Sequence, residues 1–156
     1  MPSFSDFEAA APELAAAVRA RLTDRTHHTL ATLRADGAPR ISGTECQFAD
    51  GELWIGSMWQ ALKAKDLLRD PRYALHSGSD DPPAWTGDAK VAGTAHEVTD
   101  PDLVQRLNGE AAQGGPSHLF RLDIAEASTV GVDEQAKLLI VEVWTPERGV
   151  RRIERT

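Results

Sequence analysis

The sequence predicts a single, mainly β domain of the α+β class, an antiparallel barrel carrying helices. Three observations lead there: short apolar and β-branched runs follow one another closely, Asp-Gly turn signals separate several of them, and helical periodicity is confined to three stretches. A chain of 156 residues can bury roughly two thirds of its unfolded surface in one core. It divides into an N-terminal helix within residues 1–24 and a barrel over residues 27–154.

The helix comes first. Phe4, Phe7, Ala11, Leu14, Val18 and Leu22 recur at three- and four-residue intervals and so line one stripe of an amphipathic helix beginning near Ser5. The period then changes. "HHTLATLRADGAPRISGTECQFADGELWIGS" reads as three strands of an antiparallel meander, because "ADGA" and "ADGE" are hairpin signals. A helix over about Trp59 to Arg69 stops before Pro71, which removes a donor and disfavours helix in the residue before it. "RYALHSG" is a strand, "SDDPPAWTGD" a loop, and "AKVAGTAHEV" a fifth strand containing one glycine. Asp100 can cap a helix with Pro101 at its first position and Leu103, Val104 and Leu107 together, followed by a loop, "GEAAQGGPS". Two further strands, "LFRLDIAEASTVGVD" and "AKLLIVEVWT", precede a short tail, "GVRRIER".

Charge and motif content exclude several functions. A formal charge of −7 and a pI near 5.2 argue against a nucleic-acid binder, which normally carries a basic stripe. The N-terminus lacks the regions of a signal peptide, and the longest strongly apolar run, Leu138 to Val141, is too short to span a bilayer, so no membrane partner and a cytoplasmic location are expected. Cys46 is the only cysteine, which fits a reducing compartment. There is no G-x-G-x-x-G, P-loop or G-x-S-x-G. No pair among His27, His28, His76, His96 and His118 has metal-ligand spacing on a helix, and no metal is expected. Asp80 and Asp81 could form an acid/base pair or simply a solvated turn.

The stretch "GSMWQALKAKDLLRDP" has a more specific shape. A strand end rich in glycine and hydroxyl leads into a helix whose start carries Lys63 and Lys65, and exposed N–H groups there favour an anion. The same residues, with Asp66, Arg69 and Asp70, also describe a solvated face of mixed charge, and spacing alone leaves both readings open.

"TLATLRADGAPRIS", "GELWIGS" and "ALKAKDLLRDPRYAL" together resemble the pyridoxamine 5′-phosphate oxidase-related FMN-binding split-barrel flavoproteins, a group that includes the flavin/deazaflavin oxidoreductases. The resemblance runs from about His27 to Val98 and more loosely through "LLIVEVWTPERGVRR". It implies an antiparallel split β-barrel and a flavin or deazaflavin oxidoreductase that moves a hydride to or from a small conjugated molecule. The cofactor implied is FMN or the deazaflavin coenzyme F-420, lying in the groove of a homodimer. Lys63 falls on the family lysine that contacts the cofactor phosphate, Arg40 on an arginine that also reaches it, and Ser57 on the hydroxyl ending the third strand; Ser42, Met58 and Lys65 complete the expected cofactor shell. Trp85 and Lys90 are candidates to reach across the dimer, and Trp59, Trp144 and Arg148 to line the substrate side, with no catalytic side chain singled out. Ala61 and Leu62 stand where the family often has serine and arginine. A monoester phosphate near a dianion profits from several cations, whereas a phosphodiester needs fewer. The alternative is therefore a non-catalytic split-barrel carrier or sensor of a flavin-like ligand.

Overall fold

The structure, a computed structural model, describes all 156 residues as four helices and nine strands. The apolar stripe at the N-terminus is buried at every position, from Phe4 to Leu22, but it is carried by two helices rather than the single one expected. Helix α1 (Phe4–Ala10) starts from a reciprocal capping box between Ser3 and Asp6, and α2 spans Pro12–Thr23. The break falls at Ala11, at φ −143° and ψ 67°, because the residue before a proline is forced out of helical conformation. Phe4 and Phe7 meet edge to face with ring centroids 5.5 Å apart, and the Phe7 centroid lies 4.7 Å from that of the Trp144 ring. Burying each phenylalanine contributes about 1.5–3 kcal/mol, so this helical pair is the lid of the core.

The sheet is entirely antiparallel. Its strands are β1 (His28–Leu33), β2 (Pro39–Thr44), β3 (Gln47–Ala49), β4 (Glu52–Met58), β5 (Arg72–His76), β6 (Asp88–Glu97), β7 (Ser117–Asp133), β8 (Leu138–Thr145) and β9 (Gly149–Arg155), with α3 at Leu62–Arg69 and α4 at Pro101–Ala112. They run in the order β2-β1-β5-β6-β7-β4-β3, and β8 and β9 extend from the far half of β7. Both Asp-Gly hairpins form, yet they do not make a meander: β1–β2 and β3–β4 lie at opposite ends of this order. The chain breaks at Glu45–Cys46, where the Cys46 thiol donates to the Leu22 carbonyl at 3.7 Å. No ladder joins β2 to β4 where they pass, which leaves the barrel open at that seam.

Three other boundaries differ from the sequence reading. Helix α3 begins at Leu62 instead of Trp59 because Gln60 takes a φ of +60°, outside any right-handed helix. Helix α4, capped by Asp100 as expected, continues through Gly109 to Ala112 before Gln113 turns left-handed, and its most buried residue is Asn108. The "GVRRIER" tail is a strand, β9, paired along β8 from Leu139–Arg155 to Thr145–Gly149. In the middle of the sheet, β7 carries one extra residue, Ala125, opposite the step from Ala92 to Gly93. Gly93 is required there: a Cβ would sit 2.0 Å from the Asp123 carbonyl oxygen. No helix is long and apolar enough to cross a membrane.

Candidate cofactor site

Edge strand β2 presents its residues to two hollows that meet at Ile41. One face of β2 looks towards α3. There Arg34, Arg40, Ser42 and Lys63 line an open cleft of about 380 Å³, with Ala61, Leu62, Gly43 and Ile41 completing the wall. The other hollow, about 280 Å³, lies on the outer face of the sheet. Its floor follows the register: Ile41, Ala31, Ala74, Ala92 and Glu126 are neighbours across β2, β1, β5, β6 and β7. Thr29, His76 and Lys90 form the adjacent row. The alanines keep this floor low, so a flat ring has room above it.

The cleft gathers cationic side chains and free N–H groups. Helix α3 has no side-chain cap and no acidic residue in its first turn, and its opening residues, Ala61 to Lys63, face the cleft. Free N–H groups at a helix start attract negative charge. The Lys63 Nζ donates to the Gly43 carbonyl at 3.0 Å, which draws the ammonium across to β2. Burial lowers the Lys63 pKa, partly offset by the Glu45 carboxylate. The Arg40 Nε donates to Asp66 at 2.7 Å, leaving the outer nitrogens of the guanidinium without a partner in the chain. Ser42 and Gly43 follow on the same strand.

Asp66 entered the sequence reading only as part of a possible solvated helix face. Its side chain is only 3 % exposed, and it accepts hydrogen bonds from Thr32 at 2.8 Å, Arg40 at 2.7 Å and Arg69 at 2.9 Å. Burial alone would raise its pKa, but the hydrogen bonds from Arg40, Thr32 and Arg69 outweigh this and hold the carboxyl below the usual range. His118 was also missed. It anchors the loop entering α3: Trp59 stacks on its ring at 4.6 Å, the Gln60 N–H donates to Nε2 at 3.2 Å, and Nδ1 lies 2.7 Å from Glu97. The Gln60 N–H requires a lone pair on Nε2, so the neutral imidazole carries its proton on Nδ1 and donates to Glu97. One signal pointed to Asp66, its i,i+3 spacing to Arg69; none pointed to His118, whose partners come from β6 and the β4–α3 loop.

The structure thus brings Arg40, Ser42 and Lys63 into one cleft and places Lys90 on the adjoining groove. It does not bring the rest with them. Ser57 is buried, with its hydroxyl on the Met58 carbonyl at 3.3 Å, while Met58 itself is 81 % exposed. Lys65, expected in the cofactor shell, is exposed on α3 and lies outside both hollows, unlike Lys63. Trp85 is half-buried on the loop after β5 that Arg21 ties down through Thr86, and Arg148 is exposed in the β8–β9 turn. Trp144, expected on the substrate side, is a core residue: it is 3 % exposed and packs on Phe7, because its strand position turns it inward beneath α1. The Asp80 carboxylate is ion-paired with Arg25, and the main-chain carbonyl of Asp81 accepts the Ala84 and Trp85 N–H groups in a turn.

Fold and site together define a split-barrel protein with a cationic cleft joined to an apolar groove. The pattern of the pyridoxamine 5′-phosphate oxidase family matches residues 14–131, and the chain belongs to that family. No curated protein matches it. Among solved structures it is similar to a pyridoxamine 5′-phosphate oxidase-related, FMN-binding protein from Nostoc punctiforme, at 13 % identity and a TM-score of 0.62 over 94 % of this chain and 96 % of that one. PhzG from Burkholderia lata, solved with tetrahydrophenazine-1-carboxylic acid, gives 12 % identity and a TM-score of 0.61 over 100 % and 96 %. A heme binding protein from Mycobacterium smegmatis gives 17 % identity and a TM-score of 0.59 over 89 % and 87 %. At such identities the likeness establishes the fold.

Proposed function

We propose that the chain is a flavin- or deazaflavin-dependent oxidoreductase that transfers a hydride to or from a small conjugated molecule. The observation that carries this reading is the junction at Ile41 of a cleft holding Arg40, Ser42 and Lys63 with a groove floored by alanines. A phosphate fits the first and a planar ring the second. Bound there, the isoalloxazine or deazaflavin ring supplies the hydride chemistry. The chain's own residues bind and orient it. Arg40 and Lys63 hold the phosphate, the α3 N–H groups add to them, and Ala31, Ala74 and Ala92 give the ring an apolar face that keeps water away.

The cofactor site is completed by a second copy of the chain. Ile41 is 75 % exposed and Leu62 59 %, and Met58 at the end of β4 and Trp59 on the loop that follows are exposed as well. Exposed apolar side chains gathered around one hollow mark an interaction surface. Trp85, away from the cleft of its own chain, is then free to act on the partner's.

The alternative, a carrier or sensor of a flavin-like ligand, is favoured by one feature: Leu62 puts an uncharged side chain in the cleft wall, where a cation would reinforce the phosphate. Absorbance titrations with FMN, coenzyme F-420 and hemin, followed by single-turnover oxidation of the reduced complex, separate the readings. Saturable flavin or deazaflavin binding with turnover supports the oxidoreductase. Binding without turnover on a panel of conjugated acceptors supports the carrier. A chain that takes up only hemin, or none of the three at high micromolar concentration, overturns the proposal.

A further inference from the structure

We infer that Asp66 is a positioning residue for the anion cleft, acting through Arg40. This rests on the reading of the cleft as a phosphate site. Asp66 sits on α3 beneath β2 and does not line the cleft. Its Oδ2 receives both the Arg40 Nε, at 2.7 Å, and the Thr32 hydroxyl, at 2.8 Å, while Oδ1 receives Arg69 at 2.9 Å. Arg69 in turn donates to the Leu33 carbonyl at 2.9 Å, at the end of β1. The carboxylate therefore links α3 to β1 and β2, the elements that carry the cleft's cations.

The geometry has a specific consequence. A guanidinium gripped at Nε by a buried acceptor cannot swing, and its two outer nitrogens project the other way as a fixed fork. Arg40 is the cleft residue held in this manner. Lys63 has one hydrogen bond, to a carbonyl, and Arg34 has none from its side chain. The same carboxylate partly offsets the positive charge of the cleft. Charge and position thus make opposite predictions. On charge alone, removing a carboxylate beside an anion site strengthens anion binding; if Asp66 positions Arg40, removing it weakens binding.

The test measures the affinity ratio of FMN to riboflavin, which isolates the phosphate, and that of coenzyme F-420 to its alcohol, which reads the phosphodiester together with its acidic tail. Asp66→Ala is expected to lower the ratio by about tenfold, the equivalent of one charged hydrogen bond. Asp66→Asn is the second variant, because loss of a buried ionic partner threatens folding. An amide oxygen in the place of Oδ2 still accepts from Arg40 and Thr32, so this variant should retain the ratio within about threefold. Thr32→Val leaves the charge intact and removes one of the two donors that fix Oδ2, and an intermediate loss is expected. A ratio that rises in both Asp66 variants makes the residue only a charge and overturns the inference. A ratio unchanged in folded Asp66→Ala, or in Thr32→Val while its melting temperature falls, makes the residue only structural and also overturns the inference. If the wild-type chain itself does not discriminate either pair, the phosphate reading has failed, and the inference with it.

Discussion

Replacing Lys63 by methionine keeps most of the aliphatic stem and removes the charge, so it tests the phosphate contact with little repacking. In the free chain the ammonium already donates to the Gly43 carbonyl at 3.0 Å, so binding exchanges a hydrogen bond to a neutral acceptor for one to an anion. A charged hydrogen bond contributes about 1.5–3 kcal/mol and a neutral one about 1 kcal/mol, which leaves roughly 0.5–2 kcal/mol. That corresponds to a loss of about two- to thirtyfold in FMN affinity, with riboflavin unaffected. A charge acting only at long range would contribute less and vanish in high salt. The assay is flavin fluorescence quenching at low and high salt. The pH profile adds a second signature. Burial lowers the Lys63 pKa from 10.5, so its contribution to FMN binding fades as pH rises, beginning below that value, and Lys63→Met should lose this alkaline limb. Equal FMN affinity in variant and wild type, or an alkaline limb that survives the substitution, would refute the cradle.

Three further outcomes are expected. Ile41→Lys places a charge on the exposed apolar surface beside the groove, and sedimentation velocity should show the proposed homodimer of the wild type replaced by monomer; a wild-type monomer, or a variant still dimeric at low micromolar concentration, counts against that surface. Buried His28 is held neutral, with Nε2 3.0 Å from the Leu22 carbonyl and Nδ1 accepting the Gly78 N–H at 2.9 Å; burial is the main cause of its lowered pKa. The unfolded chain then binds its proton first, so stability holds above the ordinary value of 6.5 and falls as pH drops below it; melting curves from pH 8 to 5 should show this, and a His28→Gln variant with the same acid slope would assign the loss elsewhere. Gly93→Ala should cost about 2 kcal/mol or more, because its methyl group meets the Asp123 carbonyl at the bulge, and chemical denaturation at wild-type midpoint would contradict that packing.

Much of the fold was legible locally. The N-terminal stripe is buried whether one helix carries it or two, since the 3.6-residue period fixes the face and Pro12 alone decides the break. The Asp-Gly turns were legible because positive φ at Gly37 and Gly51 is a local demand. Pairing partners were not. The "GVRRIER" segment is mostly polar and becomes a strand only because β8 offers it a ladder, and β3 separates from β2 because it pairs with β4 at the other end of the sheet. Trp144 shows the same limit on side chains: its type marks equally a binding surface or a core, and its inward direction is set by strand pairing and by Phe7 above it.

The sequence by itself determined which residue types are available to the proposed cofactor site, through features whose meaning is local: an arginine and a serine on one strand, a lysine at a helix start, and an acidic chain without G-x-G-x-x-G or P-loop motifs. Tertiary structure alone decided which charges work together. Arg40 and Lys63 are joined because α3 docks against β1, beside edge strand β2, Lys65 is excluded because its position on the helix turns it to solvent, and Asp66 stops being a surface charge because the same docking buries it against Thr32, Arg40 and Arg69. Hydrogen bonds and burial depend on distances that only packing sets, and so does the assembly of the cleft.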